Sequence, residues 1–334
     1  PVDFNYDFKT DLILAGEGGI RFYRQDSAQA FTDVTSETKL SAATLNHSFE
    51  GAWSADIEAD GDLDIVIKGY SNAPVLRNNG DGTFIEMKPF SNIEGVKGFA
   101  WADLDADGDP DAAIIDTLYK LHIFSNERQG QFTERPLPAG FNAFANVINV
   151  MDVDNDGVFD LLLAQGKTIT RLSDKDHGAG WVQTEVVKLP EPPEFTLVGP
   201  DDLRVADLDN NGGLDLVLMS SLGREVTFKC PEPCKPGVLV WLNDGNGKFT
   251  LVPDTTWRER VFDIADVNGD GRLDLLGLDL DGKPREAINS GSKNYHWQIV
   301  RPRASNAVGD QRINPFGVGG EMEIRSGLLV QKQP

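Results

Sequence analysis

Cysteine, histidine and positive charge are what this chain has least of. Among 334 residues there are two cysteines, Cys230 and Cys234, and four histidines, His47, His122, His177 and His296. No second thiol pair or neighbouring histidine completes a zinc site beside the cysteines. They stand among Pro231, Pro233 and Pro236, where the Cys-x-x-x-Cys spacing leaves open a short disulfide or two reduced thiols. The histidines fall in unrelated parts of the chain. No Ser–His–Asp or Cys–His set can be assembled from spacing, so an enzyme is not expected.

Lysine and arginine number 31 against 53 acids, a net charge of −22. Such acidity argues against nucleic acid as a partner. No apolar run is long enough for a membrane span, and no signal peptide is visible. The chain opens at Pro1, as a processed or partial chain would, so the missing leader leaves export open. No segment sustains a 3.6-residue apolar period, which excludes helical repeats. The apolar share of 40% still suffices for a core.

What is abundant is aspartate, and it is spaced. The best stretch holds Asp103, Asp105, Asp107 and Asp111 at positions 1, 3, 5 and 9, with Gly108 at position 6 and Asp109 at position 7. Such a loop gathers carboxylates about one centre, and their repulsion calls for a hard cation, most often calcium. Position 7 would add its backbone carbonyl, and glycine permits the turn. The pattern recurs at Asp56, Glu58, Asp60, Asp62 and Asp64, and at Asp152, Asp154, Asp156, Val158 and Asp160. Two further copies are Asp207, Asp209, Asn211, Gly213 and Asp215, then Asp266, Asn268, Asp270, Arg272 and Asp274. A degenerate copy, Asp3, Asn5, Asp7 and Asp11, carries Phe8 in the glycine place and is expected to hold metal least well. Five Ca2+ sites are therefore expected from the five good loops.

An EF-hand starts with the same residues but needs a glutamate at position 12 and flanking helices. Position 12 here is Ile67, Ile114, Leu163, Leu218 or Gly277. Each loop runs instead into a short apolar segment that reads as a buried strand. A second signal keeps register with the first. A polar turn precedes Phe31, Phe84, Phe132, Trp181, Phe249 and Trp297, which follow the last loop acid by 20, 20, 21, 21, 34 and 23 residues. The long fifth interval carries an insertion, Arg224 to Gly237, that includes both cysteines. Each unit reads strand, acidic loop, strand, link, strand, turn, strand. That is an all-β chain, a β-propeller of four-stranded antiparallel blades. Six blades are expected, and seven if further sequence or the tail supplies one. Blade one begins inside its loop without a full first strand. Blade six is expected to run through Trp297 to Val300.

The acidic loops, the strands after them and Asn78-Asn79-Gly80-Asp81-Gly82-Thr83-Phe84 resemble the FG-GAP or VCBS-type repeat. That repeat builds calcium-bearing propellers such as the integrin α-subunit head. The resemblance covers about residues 1 to 300. The stretch from Asn294 to Gly320 resembles the start of the UnbV/ASPIC segment of cartilage acidic protein and its bacterial relatives. The domain reading is thus a propeller at 1–303 and a C-terminal β extension at 304–334. The resemblance implies export to an extracellular, cell-surface or periplasmic place, and a partner that is a protein or a cell-surface polymer. A polysaccharide lyase or hydrolase, or an accessory subunit of a membrane-associated complex, are the alternatives.

Three finer expectations follow. Trp53 and Trp101, just before their loops, either line a carbohydrate-binding mouth or pack between blades. Asn46-His47-Ser48 matches a glycosylation acceptor. Glu321 to Val330 is strand-like, and an open seam is costly, so the tail is expected to return to the seam between blades six and one and cover or pair with an edge there, the alternative being a separate UnbV/ASPIC-like segment that touches only blade six.

Overall fold

The computed structural model describes residues 1–70, 74–174, 180–190, 200–220, 237–253, 260–279, 281–291, 297–304, 314, 316–326 and 329–334. Cys230, Cys234, His177 and His296, and most of the fifth-blade insertion, lie outside the described residues.

The chain is a β-propeller built of consecutive antiparallel meanders. Blade one has three strands, β1 (Leu12–Gly16), β2 (Gly19–Ser27) and β3 (Ala30–Asp33). Blade two holds β4 (Gly51–Ala55), β5 (Asp64–Tyr70), β6 (Val75–Asn78) and β7 (Phe84–Met87). Blade three holds β8 (Gly95–Ala102), β9 (Asp111–Asp116), β10 (Leu121–Asn126) and β11 (Phe132–Arg135). Blade four holds β12 (Val147–Met151), β13 (Asp160–Gln165), β14 (Thr168–Ser173) and β15 (Val182–Lys188). Blade five holds β16 (Asp202–Ala206), β17 (Asp215–Ser220), β18 (Gly237–Asn243) and β19 (Phe249–Leu251). Blade six has three strands among the described residues, β20 (Arg260–Ala265), β21 (Asp274–Leu278) and β22 (Pro284–Ala287). Blades two and three share one sheet, because the end of β5 pairs with the start of β8 at Tyr70 and Gly95.

The second strand of each blade explains why the apolar runs after the loops do not alternate. It is covered on both faces by neighbouring blades, so Ile65 to Ile67, Ala112 to Ile115 and Leu161 to Ala164 are all buried. Full burial of each Leu or Ile contributes about 1.5–3 kcal/mol. Five apolar clusters result, each shared by two consecutive blades. Trp53 and Trp101 belong to the cluster between blades two and three, so both pack against the core.

The propeller departs from expectation at its ends. The link from blade one to blade two contains a four-residue helix, α1 (Ala42–Leu45), with Ser41 as its cap. Asn46 closes this helix, donating from its side chain to Ala42 at 2.8 Å. Trp297 to Val300 form no strand. The Trp297 indole lies flat against Gly271, where any added Cβ would come within 1.8 Å of the ring. The tail strands β23 (Met322–Ser326) and β24 (Leu329–Gln333) pair with each other rather than with blade one. The tail crosses the acidic-loop face. Arg303 stands over the Phe8 ring, Gly319 meets Trp101, and the Lys332 amine donates to Gly157 at 2.9 Å. Arg303 reaches Phe8 of blade one, and Val318 packs against the cluster that blades one and two share. The hairpin satisfies its own backbone bonds, so side chains do the docking.

Candidate metal centres

Loops two to six each join the first strand of a blade to its second, and the first loop enters β1 with only a Val2–Asp11 bridge before it, so all six stand on one face. Their shape comes from carboxylates accepting backbone N–H groups, a standard device of Asx turns. The position-1 acid takes the amides of positions 5 and 6 in its two oxygens. The pairs are Asp60 and Gly61 on Asp56, Asp107 and Gly108 on Asp103, and Asp156 and Gly157 on Asp152, at 2.9–3.1 Å. Asn211 and Gly212 bind Asp207, and Asp270 and Gly271 bind Asp266, in the same way. The position-5 side chain turns back to the amide of position 7, as Asp60 does for Asp62 and Asp107 for Asp109.

The position-9 acid is the deepest and ties three segments together. Asp111 accepts from Leu104 in its loop and from Asn126 on β10. Asp64 does so with Ile57 and Asn78, Asp215 with Leu208 and Asn243, and Asp274 with Val267 and Asn289. Asp160 accepts from Val153 and from the Ser173 hydroxyl.

The degenerate first loop keeps this frame. Asp3 accepts from Asp7 and Phe8, and Asp11 from Phe4 and Gln25. Phe8 takes up the left-handed backbone at φ 62 that glycine takes in the other loops, a conformation that costs a side chain about 1–2 kcal/mol. The substitution strains the loop without unfolding it.

Not all the expected ligands converge. Among the described residues, carboxylate oxygens of positions 1, 3 and 9 lie within 4.8 Å of one another in three loops. These are Asp103, Asp105 and Asp111; Asp152, Asp154 and Asp160; and Asp207, Asp209 and Asp215. In the second loop Glu58 is drawn to Arg77, 3.3 Å away. Position 3 of the first and sixth loops is Asn5 or Asn268, which brings no third charge. Position-7 side chains point to other partners, Asp109 to Arg128 and Arg272 to Asp270. The sequence reading missed the arginines beside position 3. Arg171 lies 2.6 Å from Asp154, and Arg135 lies 3.8 Å from Asp105. The available signal was an arginine in the third or fourth strand of blades two, three and four, at Arg77, Arg135 and Arg171.

Burial governs the protonation of these acids. It pushes Asp64 up to about 8, and Asp111 and Asp215 up to about 7, against the pull of their backbone amides. Asp11, Asp56, Asp62 and Asp160 rise to about 6 for the same first reason. Asp103, Asp105, Asp152 and Asp207 are also raised by burial, with neighbouring acids adding to the shift. Clustered, desolvated carboxylates are groups that a divalent cation would neutralise, and an all-oxygen set suits a hard one. The three converged loops therefore fit a metal ion.

His122 lies on β10. Its ring nitrogens face Glu134 at 2.7 Å and Asp116 at 3.2 Å, far from the loops. His47 is exposed and hydrogen-bonded to Ser48.

A propeller with one acidic hairpin loop per blade defines a class of repeat protein. The chain belongs to the FG-GAP-like repeat family, which it matches over residues 3–67, 56–114, 103–163 and 207–277. Each match runs from the first acid of one loop to just past the next. Among solved structures, a lectin from Agrocybe aegerita is 20% identical with a TM-score of 0.55, over 84% of this chain and 73% of that one. Its structure is described as the basis of specific recognition of non-reducing terminal N-acetylglucosamine. A protein from Lactobacillus plantarum is 16% identical with a TM-score of 0.47, over 82% of this chain and 79% of that one. A Photorhabdus luminescens Tc holotoxin pore is 17% identical with a TM-score of 0.42, over 85% of this chain and 14% of that one. No curated protein matches the chain. No helix among the described residues is long and apolar enough to cross a membrane.

Proposed function

We propose that this chain is an exported, calcium-stabilised binding module that presents a propeller face to a protein or a cell-surface polymer. The observation that carries the reading is the convergence of three carboxylates in each of loops three, four and five. Asp103, Asp105 and Asp111, with the matching acids of the next two loops, would hold the ions. Calcium there would supply charge neutralisation and fix the strand-to-strand turns. The first, second and sixth loops would bind more weakly, because Asn5 and Asn268 carry no charge at position 3 and Glu58 does not converge with Asp56 and Asp64. Membership of the FG-GAP-like family supports a scaffold role. The Agrocybe aegerita lectin shows that a propeller of this general shape serves recognition. The tail from Asn294 resembles the start of a UnbV/ASPIC segment, which would suit a chain working outside the cytoplasm.

The test is retention of labelled protein on intact cells, and on their isolated surface polymer, in calcium and in chelator. Retention that chelator abolishes is expected. Native mass spectra without bound calcium, together with no retention on either surface, would overturn the reading.

A further inference from the structure

Each outer strand begins with or beside an aromatic residue, and in four cases that ring fills the interface with the preceding blade. Phe84 packs with Phe4 and Phe22 between blades one and two. Phe132 packs with Phe90 and Trp101 between blades two and three. Trp181 lies between blades three and four, and Phe249 between four and five. The next interface breaks the series. Among the described residues, no aromatic ring enters the cluster between blades five and six. A cleft of about 390 Å³ opens there instead, walled by Leu208, Val240, Leu242, Val252, Leu273 and Leu275.

Two features of this chain make the cleft. The third strands of blades two to five place Leu76, Phe124, Leu172 and Trp241 opposite the residue that follows the ninth-position acid. Blade six places Ala287 there, opposite Leu275. Blade six also has no fourth strand among the described residues. Its aromatic, Trp297, sits on Gly271 and is 48% exposed.

Spacing nevertheless assigns Trp297 to the interface. The residues that bind the ninth-position acids from the end of the third strand, or just past it in blade six, are Asn78, Asn126, Ser173, Asn243 and Asn289. The plugging ring follows after six residues in blades two, three and five, and after eight from Ser173 to Trp181. From Asn289 to Trp297 the interval is again eight.

We propose that the cleft between blades five and six is a socket for an indole ring, with Trp297 as its ligand and the seat on Gly271 as the alternative. The walls are mainly apolar, as an aromatic plug requires, and Asp209, Arg272 and Asn289 complete the lining on the side of the acidic loops. Seating the ring carries residues 297–300 toward the edge of β22 that pairs with no other strand among the described residues, and a sheet edge left unpaired is a liability. It also lifts the indole off the sixth acidic loop, of which Gly271 is the turn residue. This inference is independent of what the loops bind.

Thermal unfolding of Trp297→Ala, with and without free indole, tests it. The variant should melt several degrees below the parent, and indole should restore most of the loss by binding the native state. Ala287→Phe in the same background should recover the stability and remove the response to indole. A variant that melts like the parent, or a loss that indole does not repair, overturns the proposal. A second measurement does not need Trp297→Ala to fold. With 5-fluorotryptophan in all six positions, Ala287→Phe alone should fill the socket and move the Trp297 fluorine signal to a solvent-exposed position. A Trp297 signal that stays in place would equally end it. Trp297→Phe identifies the resonance.

Discussion

The side-chain amide of Asn210, fourth residue of the fifth acidic loop, donates to the carbonyl of Gly271, sixth residue of the sixth loop, at 2.8 Å. The Tyr6 hydroxyl makes the same reach from the first loop to Gly61 of the second. Where the third loop has Ala106, the tail takes over, and Lys332 binds Gly157 of the fourth loop. Neighbouring loops are thus stitched together along the face that would hold the ions. Asn210→Ala should lower stability by about 1 kcal/mol, the usual net worth of one such bond. Urea unfolding with an unchanged slope would be the readout.

Lys332 offers a sharper test of the tail. It is 7% exposed, 2.7 Å from Glu321 and 4.6 Å from the centre of the Phe159 ring. Lys332→Met should release β23 and β24 from the loop face. Hydrogen exchange across 322–333 should then speed at least tenfold, while exchange in β9 and β13 stays slow. Equal protection of the hairpin in the variant would show that other contacts hold it.

Arg135 joins blades three and four. Its guanidinium pairs with the buried Asp174 and stacks 4.3 Å from the Trp181 ring. Removing one partner of a buried pair typically costs about 3–5 kcal/mol. Arg135→Met should reach that range despite conserving volume. A small loss, by guanidinium chloride titration, would mean that packing rather than charge holds the interface.

Metal-free protein should grow less stable as pH rises. The folded values near 6 to 8 at Asp64, Asp111, Asp160 and Asp215 lie above the ordinary carboxylate value of 3.8. Protons therefore bind the folded state more tightly. The stability they contribute is complete below about pH 4 and is lost as pH climbs through the folded values, at about 1.4 kcal/mol per pH unit for each group while it titrates. Calcium reverses the sign, because ionised carboxylates are then the bound form. Melting temperatures from pH 4 to 8, with chelator and with calcium, should slope in opposite directions.

Asp215→Asn separates frame from filling. Without metal it should lower the melting temperature, because the amide keeps one acceptor oxygen and turns its NH2 onto the Leu208 or Asn243 N–H that the second carboxylate oxygen now satisfies. With calcium it should lose part of the stabilisation the parent gains. A variant that gains as much from calcium as the parent would remove the fifth loop from the metal sites.

The propeller was legible because two periodic signals, the loop acids and the outer-strand aromatics, each mark a place where the backbone has few choices. Asp64 and Phe84 keep a fixed interval because one ends the loop and the other opens the outer strand. What the sequence concealed depends on contacts between distant segments. The pairing of Arg77 with Glu58, and of Asn210 with Gly271, has no local signature. Phe8 read as an obstacle because propensity disfavours a left-handed phenylalanine. Six backbone and side-chain bonds around Asp3, Asp7 and Asp11 outweigh that local preference. The path of the tail was missed because docking through Arg303 and Lys332 leaves no pattern in a strand-like stretch.

The double grip of each ninth-position acid has a consequence for how such repeats change over generations. Asp11 and Asp274 tie their loop to the next segment of the blade as Asp111 does, although Asn5 and Asn268 stand at position 3 where other loops have an acid. The turn is therefore inherited separately from its charge. Single exchanges at position 3 can add or silence an ion site in one blade while its neighbours keep their shape. The number of ions carried is then a quantity that selection can adjust stepwise, without passing through an unfolded ancestor.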